Sequence, residues 1–290
     1  MAAQTLRFSP VLLEASAAAG ETIEQSFTVT AVDAGFTVVP VHADFGFDDA
    51  SYTPQLIEDD AEQTTSFSTR GWFHFDRARY VVPPHGSATI SMKITVPANT
   101  PGGTYLGAAL AQMVPDDAQP GSGSVAVSQR GGPLVFLRVA GGSPPRARVR
   151  QFGLPRIALG GPITPSITVE NVGDEYFTYT GTVTLRGHGM HDSVQLPRKF
   201  VVPGTPRRVL ARGRGDGEDV TPRLGRGRLW PGRYELVSRL RIEPTGATII
   251  TTRHVWVIPV WTWLAAGAVL FALLSGGGWL VRRRRGRDVS

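Results

Sequence analysis

The sequence predicts an all-β fold of two tandem immunoglobulin-like β-sandwiches followed by one transmembrane α-helix. Three observations predict it. Apolar residues come in short runs rich in Val, Ile, Leu, Phe and Thr, and the chain contains 34 glycines and 22 prolines. Turn signals recur about every 8–12 residues, which is the spacing of a sandwich. One long uncharged segment lies near the C-terminus, and the 290 residues suffice for two domains and such an appendage.

The first sandwich is predicted over residues 1–140. Its clearest strand is Thr89–Val96, where every second residue is apolar, so that one face of the strand is buried and the other is exposed to solvent. Pro97 then ends that strand. The predicted strands of this module are Leu6–Ala15, Thr22–Ala31, Thr37–Phe45, Phe67–Phe75, Tyr80–Val81, Ala88–Val96, Gly103–Met113 and Val135–Ala140.

A linker is predicted at 141–145, where two glycines give freedom and two prolines restrict the backbone. The second sandwich is predicted over 146–257. Between Arg212 and Arg228 lies a run of Gly, Arg, Asp and Glu with almost no apolar residue, which predicts a mobile, solvated loop. The predicted strands of this module are Ile163–Asn171, Phe177–Arg186, Gln195–Val201, Arg207–Ala211, Gly232–Glu243 and Thr248–Val257.

A membrane-spanning helix is predicted at 258–281, inside the uncharged run Val255–Val281. Crossing the hydrocarbon core of a bilayer takes about 20 apolar residues. Indole rings favour the two membrane interfaces, which predicts interface positions for Trp261, Trp263 and Trp279.

The basic tail at 282–290 sets the predicted orientation. Arg282, Arg283, Arg284 and Arg285 follow the span directly, and such residues stop transfer and stay in the cytoplasm. We therefore expect a single-pass plasma-membrane protein with its N-terminal part extracellular and membrane lipid as one partner. Export requires a signal peptide, and MAAQTLRFSP has no apolar core, so we expect that the signal was removed or that the start was assigned too late.

The composition excludes several classes of function. The net charge is +6, but without the C-terminal tail the chain has 25 basic and 23 acidic residues, which removes the electrostatic support for nucleic-acid binding. The absence of cysteine excludes disulfides and cysteine-ligated metals. We predict no cofactor and no metal.

Several short phrases follow one another along the chain: Phe8-Ser9-Pro10, Gly20-Glu21-Thr22, Tyr80-Val81-Val82-Pro83-Pro84, Val96-Pro97, Thr100 to Ala108, Val201 to Arg207, Trp230 to Tyr234 and Val255 to Pro259. In this order they resemble the extracellular part of the WxL-interacting proteins of Gram-positive bacteria. The resemblance implies a peptidoglycan-binding first domain, a host-binding second domain and an actinobacterial type of relative. The insertion at 212–228 departs from the family pattern.

The candidate ligand-binding residues lie in the first module. Asp48 and Asp49 belong to an acidic loop, whose carboxylates suit Ca²⁺, and Tyr52 follows them. Trp72 lies in an aromatic strand, where it either stacks on a sugar ring or fills the core of the sandwich. Neither set has the spacing of an established metal loop.

Two further motifs have simpler explanations. His188 and His191 are three residues apart, as in some metal sites, but no third ligand is indicated and a solvated turn explains them. Arg214-Gly215-Asp216 is an adhesion-type tripeptide in a run of three residue types, where it also arises by chance. No acid–base pair with a readable catalytic role is found, so we predict that the protein is not an enzyme.

The predicted function is a non-enzymatic cell-surface adaptor that binds cell-wall glycan or a partner surface protein. The alternative is a membrane-anchored, chaperone-like assembly accessory that captures an exported partner by β-strand addition.

Overall fold

The computed structural model describes residues 6–48, 52–57, 66–114, 129–212, 219–227 and 229–285, and within the final helix it describes the side chains of 260–269 and 271–273. In this part of the chain the fold is mostly β, with one helix. The elements in chain order are β1 (Leu6–Ser9), β2 (Leu12–Ala17), β3 (Thr22–Ala31), β4 (Phe36–Phe47), β5 (Pro54–Ile57), β6 (Phe73–Phe75), β7 (Tyr80–Val82), β8 (Ser87–Thr95), β9 (Gly103–Val114), β10 (Arg130–Gly131), β11 (Leu134–Val139), β12 (Ala147–Gly153), β13 (Ile157–Ala158), β14 (Ser166–Asn171), β15 (Phe177–Gly187), β16 (Met190–Val201), β17 (Arg207–Arg208), β18 (Ala211–Arg212), β19 (Asp219–Val220), β20 (Gly232–Glu243), β21 (Thr248–Val257) and α1 (Val260–Arg285).

The chain divides into two compact units, of which the first comprises Met1–Arg148, Glu170–Phe177 and Val201–Arg207. Its first sheet has the order β1-β3-β8-β6. Its second sheet has the order β2-β11-β9-β4-β5, with β10 added on β9 and β7 on β4. Alternate residues of both sheets contribute to one buried core, because successive side chains of a strand point to opposite faces. Core members include Phe27, Val29, Val38, Ile90, Met92, Ile94, Ala109 and Leu137.

The start of the chain forms two strands where the sequence predicts one over Leu6–Ala15. β1 pairs antiparallel with β3 in the first sheet, whereas β2 pairs parallel with β11 in the second. Pro10 lies between them, and because proline has no backbone N–H it cannot continue a hydrogen-bonded ladder. All six residues of β11, Leu134–Val139, are paired with β2.

The second unit comprises Val149–Val169, Thr178–Phe200 and Arg208–Ser290. Its largest sheet has the order β13-β21-β20-β15-β16, and the short pair β18-β19 also lies in this unit. The three-stranded sheet β12-β14-β17 is the remaining sheet of the described chain. No described sheet joins strands from the two sides of Pro144-Pro145. The predicted domain boundaries at 141–145 and 257 stay a prediction. Buried residues of the second unit include Ile167, Tyr179, Leu185, Tyr234, Leu236, Leu240 and Val255.

The predicted solvated loop at 212–228 is wrong for residues 219–227. Asp219–Val220 forms a strand with Ala211–Arg212, and Leu224 is buried and forms an isolated bridge with Ile163. One apolar side chain therefore anchors the segment. Residues 213–218 and 228, and with them the tripeptide Arg214-Gly215-Asp216, lie outside the described residues.

The helix α1 begins directly after Pro259, where the Thr262 N–H and hydroxyl both donate to the Pro259 carbonyl. Among the described residues, no helix combines the length and the apolar character that crossing a membrane requires. This finding contradicts the predicted span at 258–281 and, with it, the predicted single-pass plasma-membrane localisation and lipid partner, because about 20 consecutive apolar residues are needed. Trp261 and Trp263 lie in the described first turns of α1, and Trp261 contacts Trp230 with ring centroids 5.9 Å apart. The side chains of Trp279 and Arg282–Arg285 lie outside the described residues.

The close pairing of β15 with β20 yields a stability prediction. Gly181 lies opposite Leu240, and a Cβ added to Gly181 would lie 2.1 Å from the Arg239 carbonyl oxygen. We expect Gly181→Ala to lower the free energy of unfolding by about 1–3 kcal/mol, because the two backbones must separate. Gly227→Ala is the control, since a Cβ there meets open space. Urea unfolding of both variants measures the difference, and equal stability would contradict the close approach.

Candidate functional site

Tyr52 is held inside the first unit and its ring is covered on both sides. Phe47 stacks on one face with centroids 4.5 Å apart, and the Arg207 guanidinium lies 4.1 Å from the ring centroid. The phenolic oxygen accepts a hydrogen bond of 2.9 Å from the Val202 N–H. Burial raises the pKa of Tyr52 to about 12, opposed by the Val202 hydrogen bond and by the Arg207 charge. The residue therefore fixes a turn and offers no free ring face to a ligand.

The turn that carries Tyr52 joins β4 to β5. The Tyr52 N–H donates to the Asp48 carbonyl at 2.8 Å, and the Asp48 N–H donates to the Thr53 carbonyl at 3.1 Å. Tyr52 has a φ of 56°, a left-handed conformation that is uncommon for an aromatic residue. Asp49 lies outside the described residues. The structure thus assigns a backbone role to Asp48, and the described residues of this segment do not form a ligand site.

Trp72, the other aromatic candidate, is 7% exposed and belongs to the core. Its ring packs on Tyr105 with centroids 4.8 Å apart. Its backbone is tied as well, since its N–H donates to the Thr69 carbonyl and its carbonyl accepts from the Thr95 N–H. Stacking on a sugar ring requires an exposed face, and Trp72 has none.

A buried polar cluster surrounds Asp44 on β4. The carboxylate is 0% exposed and accepts hydrogen bonds from the Ser68 hydroxyl, from the Thr69 N–H at 2.7 Å and from the Thr69 hydroxyl at 3.2 Å. His42 lies beside them, with Nε2 2.9 Å from Thr69 Oγ1. A serine nucleophile needs its hydroxyl directed at a histidine base, whereas the Ser68 hydroxyl is directed at Asp44. The cluster ties the segment before β6 to β4.

A groove of about 530 Å³ lies on the solvent side of the four-stranded sheet. Glu24, Lys93 and His74 form one cross-strand row in it, and Ser26 and Ser91 form the next. The Lys93 ammonium is 3.4 Å from a Glu24 oxygen, but these side chains are 64% and 77% exposed. Exposed pairs of this kind contribute little. The groove holds no buried polar group directed at a ligand among its described residues.

The strongest candidate site is the outer edge of β21. On one side β21 pairs with β20 along its whole length, from Thr248 opposite Arg241 to Val257 opposite Gly232. On its other side β13 covers only Trp256 and Val257, in parallel register. In the described part of the chain no strand pairs with Thr248–Val255 on that side. The exposed residues of this open stretch are Thr248, Ile250, Thr252, Arg253 and His254.

The hydrogen bonds of β13 identify which backbone groups face this edge. The Trp256 N–H donates to the Arg156 carbonyl at 2.9 Å, so the backbone of Trp256 is directed away from β20. Alternate residues of a strand direct their backbone groups to the same edge. The N–H and C=O groups facing the open edge, where they are available to an added strand, are therefore those of Thr248, Ile250, Thr252 and His254.

Arginines lie beside this edge on both faces of the sheet, and the outer face also carries one acidic residue near the edge, Glu235, which lies opposite His254. On the inner face Arg253 lies opposite the buried Leu236 and is itself exposed. On the outer face Arg239 lies opposite Ile250 and Arg241 lies opposite Thr248. Both are exposed, and Arg241 approaches a carboxylate, that of Glu243, at 4.0 Å.

No group of three or more metal-ligating side chains occurs among the described residues. His188 and Gly189 form the turn between β15 and β16, with φ values of 47° and 73°. The geometry at His188 and Gly189 is that of a two-residue hairpin turn, which requires positive φ at both central residues. The neighbouring Asp192 carboxylate accepts a hydrogen bond of 2.7 Å from the Gly225 N–H.

No family model matches the chain, and no curated protein matches it. The predicted relation to the WxL-interacting proteins therefore stays a prediction. Among solved structures, the chain is similar to the class 5 fimbriae chaperone CfaA, with 9% identity, a TM-score of 0.46 and coverage of 86% of this chain and 99% of that one. It is similar to the YadV chaperone, with 10% identity, a TM-score of 0.43 and coverage of 86% and 99%. The E. coli chaperone DraB has 12% identity, a TM-score of 0.41 and coverage of 87% and 98%. Similarity at this level carries no functional inference.

The predictions of peptidoglycan binding and of adhesion are wrong. The predicted membrane anchor is not found, since no helix among the described residues is long and apolar enough to cross a membrane. Trp72, the candidate for stacking on a sugar ring, is in the core, and both faces of the other aromatic candidate, Tyr52, are covered. The sequence does not indicate the edge of β21, although the β-branched run Thr248–Thr252 is typical of a strand.

The Asp44 cluster predicts a large stability effect. We expect Asp44→Ala to lower the free energy of unfolding by about 3 kcal/mol, because the donors of Ser68 and Thr69 lose a buried charged acceptor. Asp33→Ala is the matched control, since Asp33 is exposed, and it should change stability by less than about 0.5 kcal/mol. Thermal or urea unfolding measures both values. Equal effects of the two substitutions would show that the cluster does not stabilise the unit.

Tyr52 predicts a loss of stability at high pH. The folded protein holds the phenolic proton up to about pH 12, whereas the unfolded chain releases it near pH 10. The stabilisation is complete below about pH 10 and is lost as the pH rises through about 12, because the unfolded state ionises first. Tyrosinate absorbance should show one phenol that titrates near pH 12 and is missing in Tyr52→Phe. Urea-unfolded protein is the control, and the same titration curve for both folded proteins would refute the assignment.

Proposed function

We propose that this chain is a non-enzymatic binding protein that captures an extended segment of an exported partner protein by β-strand addition. In this proposal the two units are tandem immunoglobulin-like sandwiches, and the second presents the binding edge. The observation that carries the proposal is the open edge of β21 over Thr248–Val255.

Three properties of the edge support strand addition. Its length of eight residues corresponds to about 26 Å of extended chain, which is longer than an average strand. Its backbone donors and acceptors at Thr248, Ile250, Thr252 and His254 are directed outward, and unpaired edge groups of this kind bind an extended peptide. The parallel pairing with β13 at Trp256 and Val257 is an instance of the same edge accepting a strand.

The non-enzymatic part of the proposal has its own support. The grouping of Ser68, His42 and Asp44 directs the serine hydroxyl at the carboxylate, which is fully buried. The partners of Asp44 are backbone and side-chain groups of the same unit, so the geometry serves folding.

The test is photo-crosslinking in the cells that produce the protein. A photoreactive phenylalanine analogue at Ile250 should crosslink an exported polypeptide that mass spectrometry identifies. Thr252→Pro should abolish the crosslink, because it removes an N–H that faces the open edge. It should leave the protein folded, since the ladder to β20 uses the alternate residues. Thr252→Val keeps the N–H and should retain the crosslink.

A second label controls for random encounters. The same analogue at Val81, which is 74% exposed on β7, should not crosslink that polypeptide. A crosslink from Ile250 that persists in Thr252→Pro would contradict strand addition, because contact without the edge hydrogen bonds would then suffice.

A further inference from the structure

The arginines beside the open edge of β21 constrain the chemistry of the segment that binds there. This inference rests on the proposed function. We infer that the captured segment is acidic, with one carboxylate facing Arg253 on the inner face of the sheet and others reaching Arg239 and Arg241 on the outer face.

Of these three arginines, Arg253 discriminates most strongly between an acidic and an apolar residue on the incoming strand. It lies on the inner side of β21, between Thr251 and Val255 and opposite the buried Leu236. A charge that points inward on an edge strand discourages indiscriminate strand pairing. An added strand with an apolar residue beside Arg253 would remove water from an unpaired guanidinium, which is costly. A carboxylate at that position restores a partner and forms a charge-assisted hydrogen bond.

Arg239 and Arg241 act from the next strand. Neighbouring strands are about 4.8 Å apart, so an added strand would lie about 10 Å from β20. The residues between are Ile250 and Thr248, and the short Thr248 side chain leaves the path to Arg241 open. An extended guanidinium and a Glu side chain together span this distance. Alternate residues of a segment beside Thr248–Arg253 therefore meet arginines on both faces of the sheet, whereas Glu235, opposite His254, disfavours an acidic residue at that end.

The same charges argue against a second copy of this chain as the occupant. If two β21 edges paired with each other, the arginines of both copies would gather along one seam. The guanidinium groups of the two copies would repel each other, and this repulsion is strongest where pairing of the strands excludes water. The acidic partner segment is the occupant that the charge pattern favours.

The test uses the full chain and three synthetic peptides. Two peptides share one eight-residue pattern of alternating Thr and Val and differ only in carrying Glu or Lys at three positions. The third has the same Glu content but is interrupted by prolines, so that it cannot form a strand. Binding is measured by fluorescence anisotropy at low and at high salt.

We expect the Glu strand peptide to bind at least about tenfold more tightly than the Lys peptide, a difference that high salt reduces. Arg253→Gln should remove most of this preference, whereas the control Arg226→Gln, an exposed arginine outside β20 and β21, should keep it. Thr252→Pro should abolish binding of the Glu strand peptide, and Thr252→Val should not.

Each of the other possible results contradicts a specific part of the inference or of the proposed function. Equal binding of the Glu and Lys peptides would overturn the acidic preference and leave strand capture standing. No binding of either strand peptide would overturn both. Equal binding of the proline-interrupted peptide would show attraction of anions without strand addition. A dimer of the full chain that Thr252→Pro dissociates would identify a second copy as the occupant.

Discussion

The pairing of backbone groups along the sheet edges is the constraint on which the rest of the structure depends. Every buried backbone N–H and C=O needs a partner, and an open sheet edge leaves a row of them free. In the first unit the chain crosses from one sheet to the other at Pro10, and β2 then covers all six residues of β11. In the second unit β13 is only two residues long and covers two residues of β21.

This difference separates the roles of the two units. The first uses its polar residues internally, since Asp44 accepts hydrogen bonds from Ser68 and Thr69 and Tyr52 is enclosed. In the part of the second unit that the structure describes, Thr248–Val255 of β21 are unpaired on one side, and Arg253, Arg239 and Arg241 lie beside them. An open, β-branched edge would pair with any extended chain and would promote aggregation. Arg253 opposes such pairing unless a carboxylate accompanies the incoming strand, because desolvating a guanidinium is costly without a partner.

The sequence by itself determined that the chain is mostly strand and where many strands lie. The alternation in Thr89–Val96 corresponds to β8 at Ser87–Thr95, and the β-branched run after Gly246 corresponds to β21 at Thr248–Val257. These features are local, since the period of two along a strand is visible in the order of residues. Pro10, which lacks an N–H, divides Leu6–Ala15 into two strands, although the apolar pattern alone predicts one.

Only the tertiary structure decided which residues face a ligand and which face the core. Asp48, Tyr52 and Trp72 have the residue types of binding sites, yet they hold a turn or fill the core. The open edge of β21 has no signature of its own in the sequence. It exists because a strand far away in the chain, β13, begins only at Ile157, opposite Trp256, so that nothing described pairs with the part of β21 before it. Strand pairing between distant segments is not encoded in the local pattern of either one.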